Sequence, residues 1–248
     1  MSKVVVLHSG GLDSTVLLYQ QISIVGAKNV FSFSVDYGQR HSKELDYAHY
    51  LCKEIGVERF VFSLDYKALK ANNSLTGQLP VPEGHYEDKS MQATVAPNRN
   101  MLLLSCAATF AISKRAQAIL YGAHTGDHAI YPDCRPEFVR AMQSAISLCH
   151  YTPLFLNAPF IGLSKAKIVK LGASLGVPFG HTWSCYKGGD IHCGKCGTCV
   201  ERKEAFKLAE IIDPTIYEEE SIKEKTEELP MAPQDENENE NEDEGEKI

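Results

Sequence analysis

The sequence lacks the features that would place it in a membrane or outside the cell. No apolar run approaches the ~20 residues that a transmembrane helix needs. The chain begins with a strand-like segment rather than a charged and then apolar leader, so we expect no signal peptide. We therefore predict a protein without membrane association and with a cytoplasmic location.

The sequence also lacks an excess of basic residues, because 25 Lys and Arg stand against 32 Asp and Glu. Residues 235–248 hold eight acids and one lysine, a net charge of −7 that equals the net charge of the whole chain. The remainder sums to about zero, unlike the strongly basic surface typical of nucleic-acid binding. The composition favours a small-molecule substrate over nucleic acid, and it predicts a disordered acidic tail at 227–248.

A glycine-rich motif follows the first strand-like segment. Residues 4–7 are apolar, residues 9–15 read Ser-Gly-Gly-Leu-Asp-Ser-Thr, and an apolar helical pattern follows. Gly10 and Gly11 let backbone N–H groups approach a ligand closely, and the start of a helix attracts anions. Asp13 suits Mg²⁺ better than phosphate. The motif predicts a phosphate-binding turn; the alternative is an ordinary strand–turn–helix connection capped by Asp or Ser.

Strand-like and helical patterns alternate along most of the chain. Strands are predicted at 3–7, 29–35, 59–64 and 117–122, and helices at 13–25, 41–56, 99–116, 164–176 and 200–212. This alternation predicts an α/β protein with a doubly wound parallel sheet, whose ligands bind at the carboxyl ends of the strands. The turn at 9–15 and Asp36 both follow such ends. Residues 72–98 lack periodicity and predict a long loop that covers the site.

Four cysteines near the C-terminal end form a second specific signal. Cys185, Cys193, Cys196 and Cys199 are separated by seven, two and two residues, with glycines between them. Four thiolates in a short, turn-rich segment suit tetrahedral Zn²⁺, and a closed shell of four sulfurs is structural rather than catalytic. The spacing predicts one structural zinc ion per chain in a small segment at 185–199.

Other interpretations of the cysteines remain open. Three of the four also fit an iron–sulfur cluster, and they could be the redox thiols of a sulfur-transfer enzyme. His181 or His192 could replace one of the four as a ligand. The cysteines outside the motif are predicted to lie in the core: Cys52, Cys106 and Cys149.

Two polar motifs lie in the middle of the chain. Residues 96–100 read Ala-Pro-Asn-Arg-Asn before an apolar helix, and residues 131–138 read Tyr-Pro-Asp-Cys-Arg-Pro-Glu-Phe after the fourth predicted strand. Both positions face the predicted ligand crevice. Each motif is also typical of a helix start, with Asn98 as a cap and Pro136 at the first helical position. The residues alone leave these two interpretations open.

Together, the motifs resemble those of the 7-cyano-7-deazaguanine synthases, a family of PP-loop ATP pyrophosphatases. The matching strings lie at 9–15, 36–41, 97–100, 131–138 and 182–199. The resemblance implies a fold of the HUP class, similar to adenine nucleotide alpha hydrolases, with a small C-terminal zinc-binding segment. It further implies one PP-loop domain over 1–226 that includes the zinc segment, ahead of the tail at 227–248.

The resemblance also implies a reaction. Members of this family convert 7-carboxy-7-deazaguanine, ammonia and two ATP into a nitrile, and they release AMP and pyrophosphate. The carboxylate is first adenylated and reacts with ammonia to give an amide. The amide oxygen is then adenylated, and elimination of AMP leaves the nitrile. ATP with Mg²⁺, the carboxylated deazaguanine and ammonia are therefore the expected partners, and the family suggests a homodimer.

We assign residue roles on the matching motifs. Asp13, Arg99 and Lys165 are predicted to be catalytic, the last two by offsetting charge on phosphate or carboxylate. Tyr131, Asp133 and Arg135 are predicted to bind the deazaguanine acid, although an Asp133–Arg135 surface pair and an exposed Lys165 are the plainer alternatives. The ATP-binding residues are predicted to be His8, Ser9, Gly10, Gly11, Leu12, Asp13, Ser14, Thr15 and Asp36.

The sequence departs from the family pattern in one place, and this departure leaves open which product is formed. Ala129 and Ile130 stand where many relatives carry Ser-Gly, so an enzyme that stops at the amide is an alternative. Nearby, His124 and His128 are four residues apart, but Gly126 between them favours a loop over a helical metal site. A PP-loop tRNA thiolase and a nucleotide-binding module without turnover are further alternatives; the first would need a basic surface, and the second would not need the complete Ser, Asp, Ser and Thr set.

Overall fold

The computed structural model describes residues 2–69 and 73–218 of the chain. The strands are β1 (Val4–Leu7), β2 (Val30–Asp36), β3 (Glu58–Ser63), β4 (Ala118–Leu120) and β5 (Phe155–Asn157). The helices are α1 (Leu12–Val25), α2 (Lys43–Ile55), α3 (Arg99–Ser113), α4 (Pro136–Ser147), α5 (Lys165–Ser174) and α6 (Gly197–Ala209). The predicted tail and the domain boundary before it lie outside the described residues and stay predictions.

The strands form one parallel sheet in the order β3-β2-β1-β4-β5. The chain moves outward from β1 to β3 on one side, and then returns to place β4 and β5 on the other side. In open α/β sheets, ligands bind beyond the carboxyl ends of the strands where this reversal occurs. The predicted doubly wound α/β fold is thus confirmed, and the reversal lies between β1 and β4.

Both faces of the sheet are covered by helices. Along β1, Val5 packs in a cluster with α3 and α4, whereas Val4 and Val6 pack in a second cluster with α1, α5 and α6. Successive side chains of a strand point to opposite faces, so a central strand buried on both faces is apolar throughout. This explains the unbroken apolar run at the start of the sequence.

The sequence analysis missed β5. Leu156 is buried, whereas Phe155 and Asn157 are exposed, and the apolar run at 154–156 is too short to indicate a strand by itself. The strand exists because it pairs with β4, with Leu156 opposite Ile119. β4 in turn ends at Leu120, two residues before the predicted end, because the chain leaves the sheet where Gly122 packs against the backbone of Asp13.

The predicted helices occur with shifted ends. α6 begins at Gly197, three residues before the predicted start, because extended Cys196 precedes it as its cap. It ends at Ala209 rather than 212, since Glu210 adopts a left-handed conformation with φ of 59°. Pro136 is the first residue of a helix as predicted, and α4 continues from it to Ser147.

The cysteines outside the motif differ in their environments. Cys52 is buried as predicted and Cys106 is half-buried. The prediction for Cys149 is wrong, because it lies just beyond the end of α4 and is exposed. Within residues 2–69 and 73–218, none of the helices combines the length and the apolar composition that crossing a membrane requires.

Candidate active site

The turn between β1 and α1 opens onto a cavity, and its two glycines have different roles. Gly10 has a φ of +93°, and a Cβ there would lie 2.0 Å from the carbonyl oxygen of Glu44. Gly10 is therefore required for packing against α2. Gly11 lines the cavity, and its N–H donates to the Ser9 hydroxyl at 3.1 Å. Beside it, the hydroxyls of Ser9 and Ser14 lie 3.2 Å apart. A set of hydrogen-bond donors therefore surrounds the start of α1.

His8 and Thr15 hold the turn from within the protein. His8 Nε2 lies 3.2 Å from the Thr15 hydroxyl, and Nδ1 lies 3.0 Å from the hydroxyl of Ser32 on β2. Burial lowers the pKa of His8 to about 3, and the charge of Arg59 contributes to the shift. Both side chains are fully buried, so they attach the turn to the sheet. Their predicted role in ATP binding remains a prediction that these contacts support only indirectly.

An ion-pair cluster brings together three distant parts of the chain. Lys165 Nζ lies 3.2 Å from Asp13 Oδ2 and 2.7 Å from Glu201 Oε2. Burial alone would lower the pKa of Lys165, but the two carboxylates outweigh it and raise the pKa above its ordinary value. Lys165, the first residue of α5, is thus a cation whose side chain is only 10% exposed and lies beside the start of α1, so the alternative of an exposed lysine does not hold.

His124 completes this cluster from the loop after β4. Its Nε2 lies 3.8 Å from Asp13, 3.7 Å from Asp127 and 3.8 Å from Glu201, measured to a carboxylate oxygen of each. Burial alone would lower the pKa of His124, but these carboxylates outweigh it and raise the pKa. His124 caps a short 3₁₀ helix (Thr125–Ala129), so the predicted loop here contains a single tight turn of helix.

Asp13 is suited to a divalent cation. Its Oδ1 is buried and, among the described residues, has no hydrogen-bond partner. Burial would raise the pKa of Asp13, but Lys165 and His124 outweigh it and lower the pKa, so the group is a carboxylate at neutral pH. An ionised oxygen without a partner is the kind of ligand that Mg²⁺ prefers. The residues present therefore fit the predicted magnesium ion.

Arg99 projects into the same cavity from the first turn of α3. Its guanidinium lies 5.9 Å from the ring centre of Tyr37 and donates to the Tyr37 hydroxyl at 3.4 Å. Asn98, just before the helix, adopts a left-handed conformation with φ of 61°. The guanidinium is held against an aromatic face and is available to an anion in the cavity.

The site consists of two adjoining cavities of about 210 Å³ and 150 Å³. The first lies at the ends of β1, β2 and β4 and includes the aromatic residues Tyr37 and Tyr121. Tyr131 lines both cavities, and its hydroxyl lies 2.7 Å from that of Thr94. The predicted substrate residue Tyr131 is therefore at the boundary between the two cavities.

The loop at 73–98 forms one wall of the second cavity. Val81, Tyr86 and Met91 lie along this wall. The segment contains a 3₁₀ helix (Lys89–Thr94), and its Glu83 pairs with Cys196 in an isolated antiparallel bridge. The prediction that this loop covers the site agrees with its position.

Three other residues that were predicted to bind substrate or ATP form hydrogen bonds with the backbone. Asp133 Oδ2 accepts the N–H of Asn100 at 3.1 Å, and Arg135 Nε donates to the carbonyl of His128 at 2.9 Å. Asp36 Oδ1 accepts the N–H of Gly38 at 3.1 Å. None of these three side chains is among the residues lining the two cavities. Their predicted roles in binding substrate or ATP stay predictions, with no direct support from this arrangement.

The four predicted metal ligands come together. The sulfurs of Cys185, Cys193, Cys196 and Cys199 lie within 4.8 Å of one another, and all four residues are buried. Backbone N–H groups donate to Cys193 Sγ from residues 195 and 196 at 3.5 and 3.3 Å, which favours the thiolate form that binds metal. The group could hold a metal ion, and four convergent sulfurs fit tetrahedral zinc.

The cysteine segment also contributes to the second cavity. Its flanking residues Trp183 and Tyr186 lie on the cavity wall, as do Thr198 and Glu201 from the first turns of α6. His192, the alternative metal ligand, makes a different contact: its Nε2 accepts the backbone N–H of Ser184 at 3.0 Å. The cysteine segment at 185–199 is therefore part of the site wall.

The comparisons with known proteins agree with this site. The model of the family described as queuosine biosynthesis protein QueC matches residues 3–210. The chain belongs to the QueC family. It is 47% identical over 218 residues to the 7-cyano-7-deazaguanine synthase of Hahella chejuensis, covering 88% of this chain and 94% of that protein.

Further relatives of the QueC family carry the same name. Identity is 49% over 216 residues to the 7-cyano-7-deazaguanine synthase of Alteromonas mediterranea, covering 87% of this chain and 98% of the relative. Identity is also 49%, over 217 residues, to the 7-cyano-7-deazaguanine synthase of Caldicellulosiruptor saccharolyticus, covering 87% of this chain and 96% of the relative. These matches confirm the family that the motifs indicate.

The residues of this QueC-family site that were not identified from the sequence include Glu44, Asp127, Tyr186 and Glu201. Glu44 follows the 36–41 motif by three residues and reads as a favourable acid in the first turn of a helix. Glu201 follows Cys199 by two residues and reads as a solvent-exposed charge. Their positions next to recognised motifs are the signal that could have identified them.

Proposed function

We propose that this protein converts 7-carboxy-7-deazaguanine and ammonia into 7-cyano-7-deazaguanine at the expense of ATP. The observation that carries the proposal is the match to synthases of that name over 94–98% of their length, in a chain whose motifs surround one pair of cavities. The amide-forming and thiolase alternatives lose support, because the relatives are named for the nitrile.

Each half of the reaction begins with adenylation. A substrate oxygen attacks the α-phosphorus of ATP, and pyrophosphate leaves. We assign the donors around Ser9, Gly11 and Ser14 to the leaving pyrophosphate, where preorganised N–H and O–H groups stabilise developing charge. Lys165 and Arg99 are the cations that approach the phosphates and the substrate carboxylate from either side.

We assign magnesium to Asp13, whose buried Oδ1 is free to coordinate it. When bound with ATP, the ion supplies neutralisation of phosphate charge. We assign a structural zinc ion to the four cysteines, where it fixes a segment rich in glycine that flanks the second cavity. We also propose free ammonia as the nitrogen source, a cytoplasmic location and a homodimer.

The experiment that tests this function is a product analysis. Purified protein is incubated with magnesium, ATP, 7-carboxy-7-deazaguanine and an ammonium salt, and the products are separated and weighed by mass spectrometry. The expected result is the nitrile with AMP and pyrophosphate. Formation of ADP, or no consumption of ATP, would contradict the proposal, and a product that stops at the amide would limit it to the first half.

A further inference from the structure

Four carboxylates line the two cavities: Asp13, Glu44, Asp127 and Glu201. Asp13 and Glu201 pair with Lys165, at 3.2 and 2.7 Å. Asp127 accepts the backbone N–H of His124 at 3.2 Å and lies beside the imidazole of that residue. Three of the four are therefore held in the Lys165–His124 cluster, and Glu44 lies outside it.

Glu44 has a different environment. Within the described residues, its one ion-pair partner is His41, with Nε2 at 3.5 Å from Oε1. Burial lowers the pKa of His41 to about 3, and Arg99 contributes, so this imidazole is neutral at physiological pH. Gln39 Nε2 donates to the same oxygen at 3.1 Å. The carboxyl group is thus fixed in place without being neutralised by a paired cation.

The position of Glu44 joins the two parts of the site. It lies in the first turn of α2, is 7% exposed, and lines both cavities. Burial raises its pKa to about 7, against the opposing effects of Gln39, Arg99 and the Ser9 hydroxyl. A group with a pKa near neutrality can both accept and return a proton under working conditions.

The proposed reaction requires such a base. When ammonia adds to the acyl-adenylate carbon, the C–N bond forms, the C–O bond to AMP breaks, and AMP leaves with the electron pair. The nitrogen then carries an extra proton that must be removed. In the second half, the amide nitrogen gives up both of its protons as the second C–O bond to AMP breaks.

We propose that Glu44 is the general base that takes these protons from nitrogen, an inference that rests on the proposed function. Neutral ammonia is the form that attacks, because ammonium has no free electron pair, and the guanidinium of Arg99, which lines the same cavity, disfavours a second cation there. The groups that face Glu44 from the surrounding elements are Ser9, Tyr37, Gln39, His41 and Arg99, and Tyr186 lines the same cavity.

The test separates adenylation from nitrogen transfer. In Glu44→Gln, the amide oxygen can still accept the bond from Gln39, but the side chain no longer accepts a proton. Exchange of labelled pyrophosphate into ATP, with the carboxylic acid and without ammonium, should stay within about twofold of wild type. Formation of amide and nitrile should fall about 10²–10⁴-fold. Glu54→Gln, an exposed position on the same helix, is the matched control and should change neither rate.

The pH profile provides the second readout. With the rate referred to the concentration of free ammonia, kcat/KM of the wild type should rise through about pH 7 and then level off. The Gln variant should lack this rise. The reaction rate with hydroxylamine should fall less in this variant than the rate with ammonia. The reason is that the conjugate acid of hydroxylamine is much stronger than ammonium.

The outcomes distinguish the two proposals. Equal losses of exchange and nitrogen transfer in Glu44→Gln, or a rise near pH 7 that persists in this variant, would show that Glu44 acts only through the structure of the site. Absence of pyrophosphate exchange in the wild-type protein would overturn the proposed function itself. The exchange assay also reports folding, because an unfolded variant would lose it.

Discussion

At the scale of single residues, Lys165 joins the most distant parts of the site. It contacts Asp13 at the start of α1 and Glu201 on α6, although 152 and 36 positions separate it from them in the chain. A buried cation between two carboxylates keeps its charge, and it can transfer its contacts to phosphate when ATP enters.

Lys165→Met should reduce pyrophosphate exchange by about 10²–10³-fold, because the phosphates lose a preorganised cation and Asp13 and Glu201 remain uncompensated. The measurement is steady-state exchange at saturating ATP. Lys167→Met, at an exposed position of the same helix, should leave the exchange rate unchanged. Comparable rates in the two variants would remove Lys165 from the adenylation step.

His8 should make the free energy of unfolding depend on pH in the acid range. Its pKa is about 3 in the folded protein, below its ordinary value of 6.5, so the unfolded chain binds the proton first as pH falls. Stability should therefore decrease from about pH 6.5 downward, by up to about 1.4 kcal/mol per pH unit from this group. His8→Gln should flatten the slope, measured by urea unfolding between pH 4.5 and 6.5.

The control for this prediction is His49→Gln, an exposed histidine on α2. It should leave the slope of unfolding free energy against pH as it is in the wild type. His41 also has a lowered pKa, so part of the slope should survive in His8→Gln. An unchanged slope in that variant would show that His8 does not contribute.

At the scale of elements, the cysteine segment (185–199) and the turn at 9–15 are connected through α6. The helix begins directly after Cys196, carries Cys199 in its first turn, and presents Glu201 to Lys165. A bound metal fixes the start of this helix and hence the position of Glu201. The metal should therefore affect ATP binding without contacting ATP.

Cys199→Ser should lower the metal content of the protein, decrease its melting temperature and raise the KM for ATP. The reason is that the first turn of α6 loses its anchor, which displaces Glu201, one of the two carboxylates that hold Lys165. Metal content is measured by a zinc-sensitive dye after unfolding, and KM by pyrophosphate exchange.

Two variants make this test specific. Cys149→Ser changes an exposed cysteine outside the motif and should retain the metal, the melting temperature and the KM. Glu201→Gln should retain the metal but still raise the KM for ATP, since it weakens the contacts with Lys165 and His124 and leaves the cysteines unchanged. If Cys199→Ser loses its metal and keeps a normal KM for ATP, the cysteine segment and the proposed ATP site are independent.

At the scale of the whole molecule, the sheet ends at β5. Within the described residues this strand pairs only with β4, so its other edge is open. Large apolar side chains are exposed on and near it, with Leu148 at 86%, Tyr151 at 103% and Phe155 at 55%. An open edge beside exposed apolar residues is typical of an interaction surface, which supports the proposed homodimer.

Tyr151→Asp should shift the protein from dimer to monomer, because a charge replaces an apolar side chain at the proposed interface. Analytical ultracentrifugation over a range of protein concentrations measures the change. Ile212→Asp, at another exposed apolar position beyond the end of α6, should leave the dimer intact. A wild-type protein that sediments as a monomer at all concentrations would refute the dimer.

The sequence by itself determined the fold class, the turn at 9–15 and the four-cysteine group. These features depend on patterns within short segments: the apolar run of β1, the glycines that permit a tight turn, and the close spacing of the cysteines. Asp13, Arg99, Lys165 and Tyr131 were also predicted as site residues, and the structure places all four along the walls of the two adjoining cavities, while their roles stay predictions. Local chemistry was sufficient for Asp13, whereas the other three depended on the resemblance to a known family.

The tertiary structure alone decided how these parts meet. β5 exists through its pairing with β4, and Glu44 and Glu201 reach the site because α2 and α6 pack beside the turn. The same packing gives Asp133 and Arg135 backbone partners, and neither of these two residues lines the cavities. Distances between residues remote in the chain follow from the packing of whole elements, which no short stretch of sequence specifies.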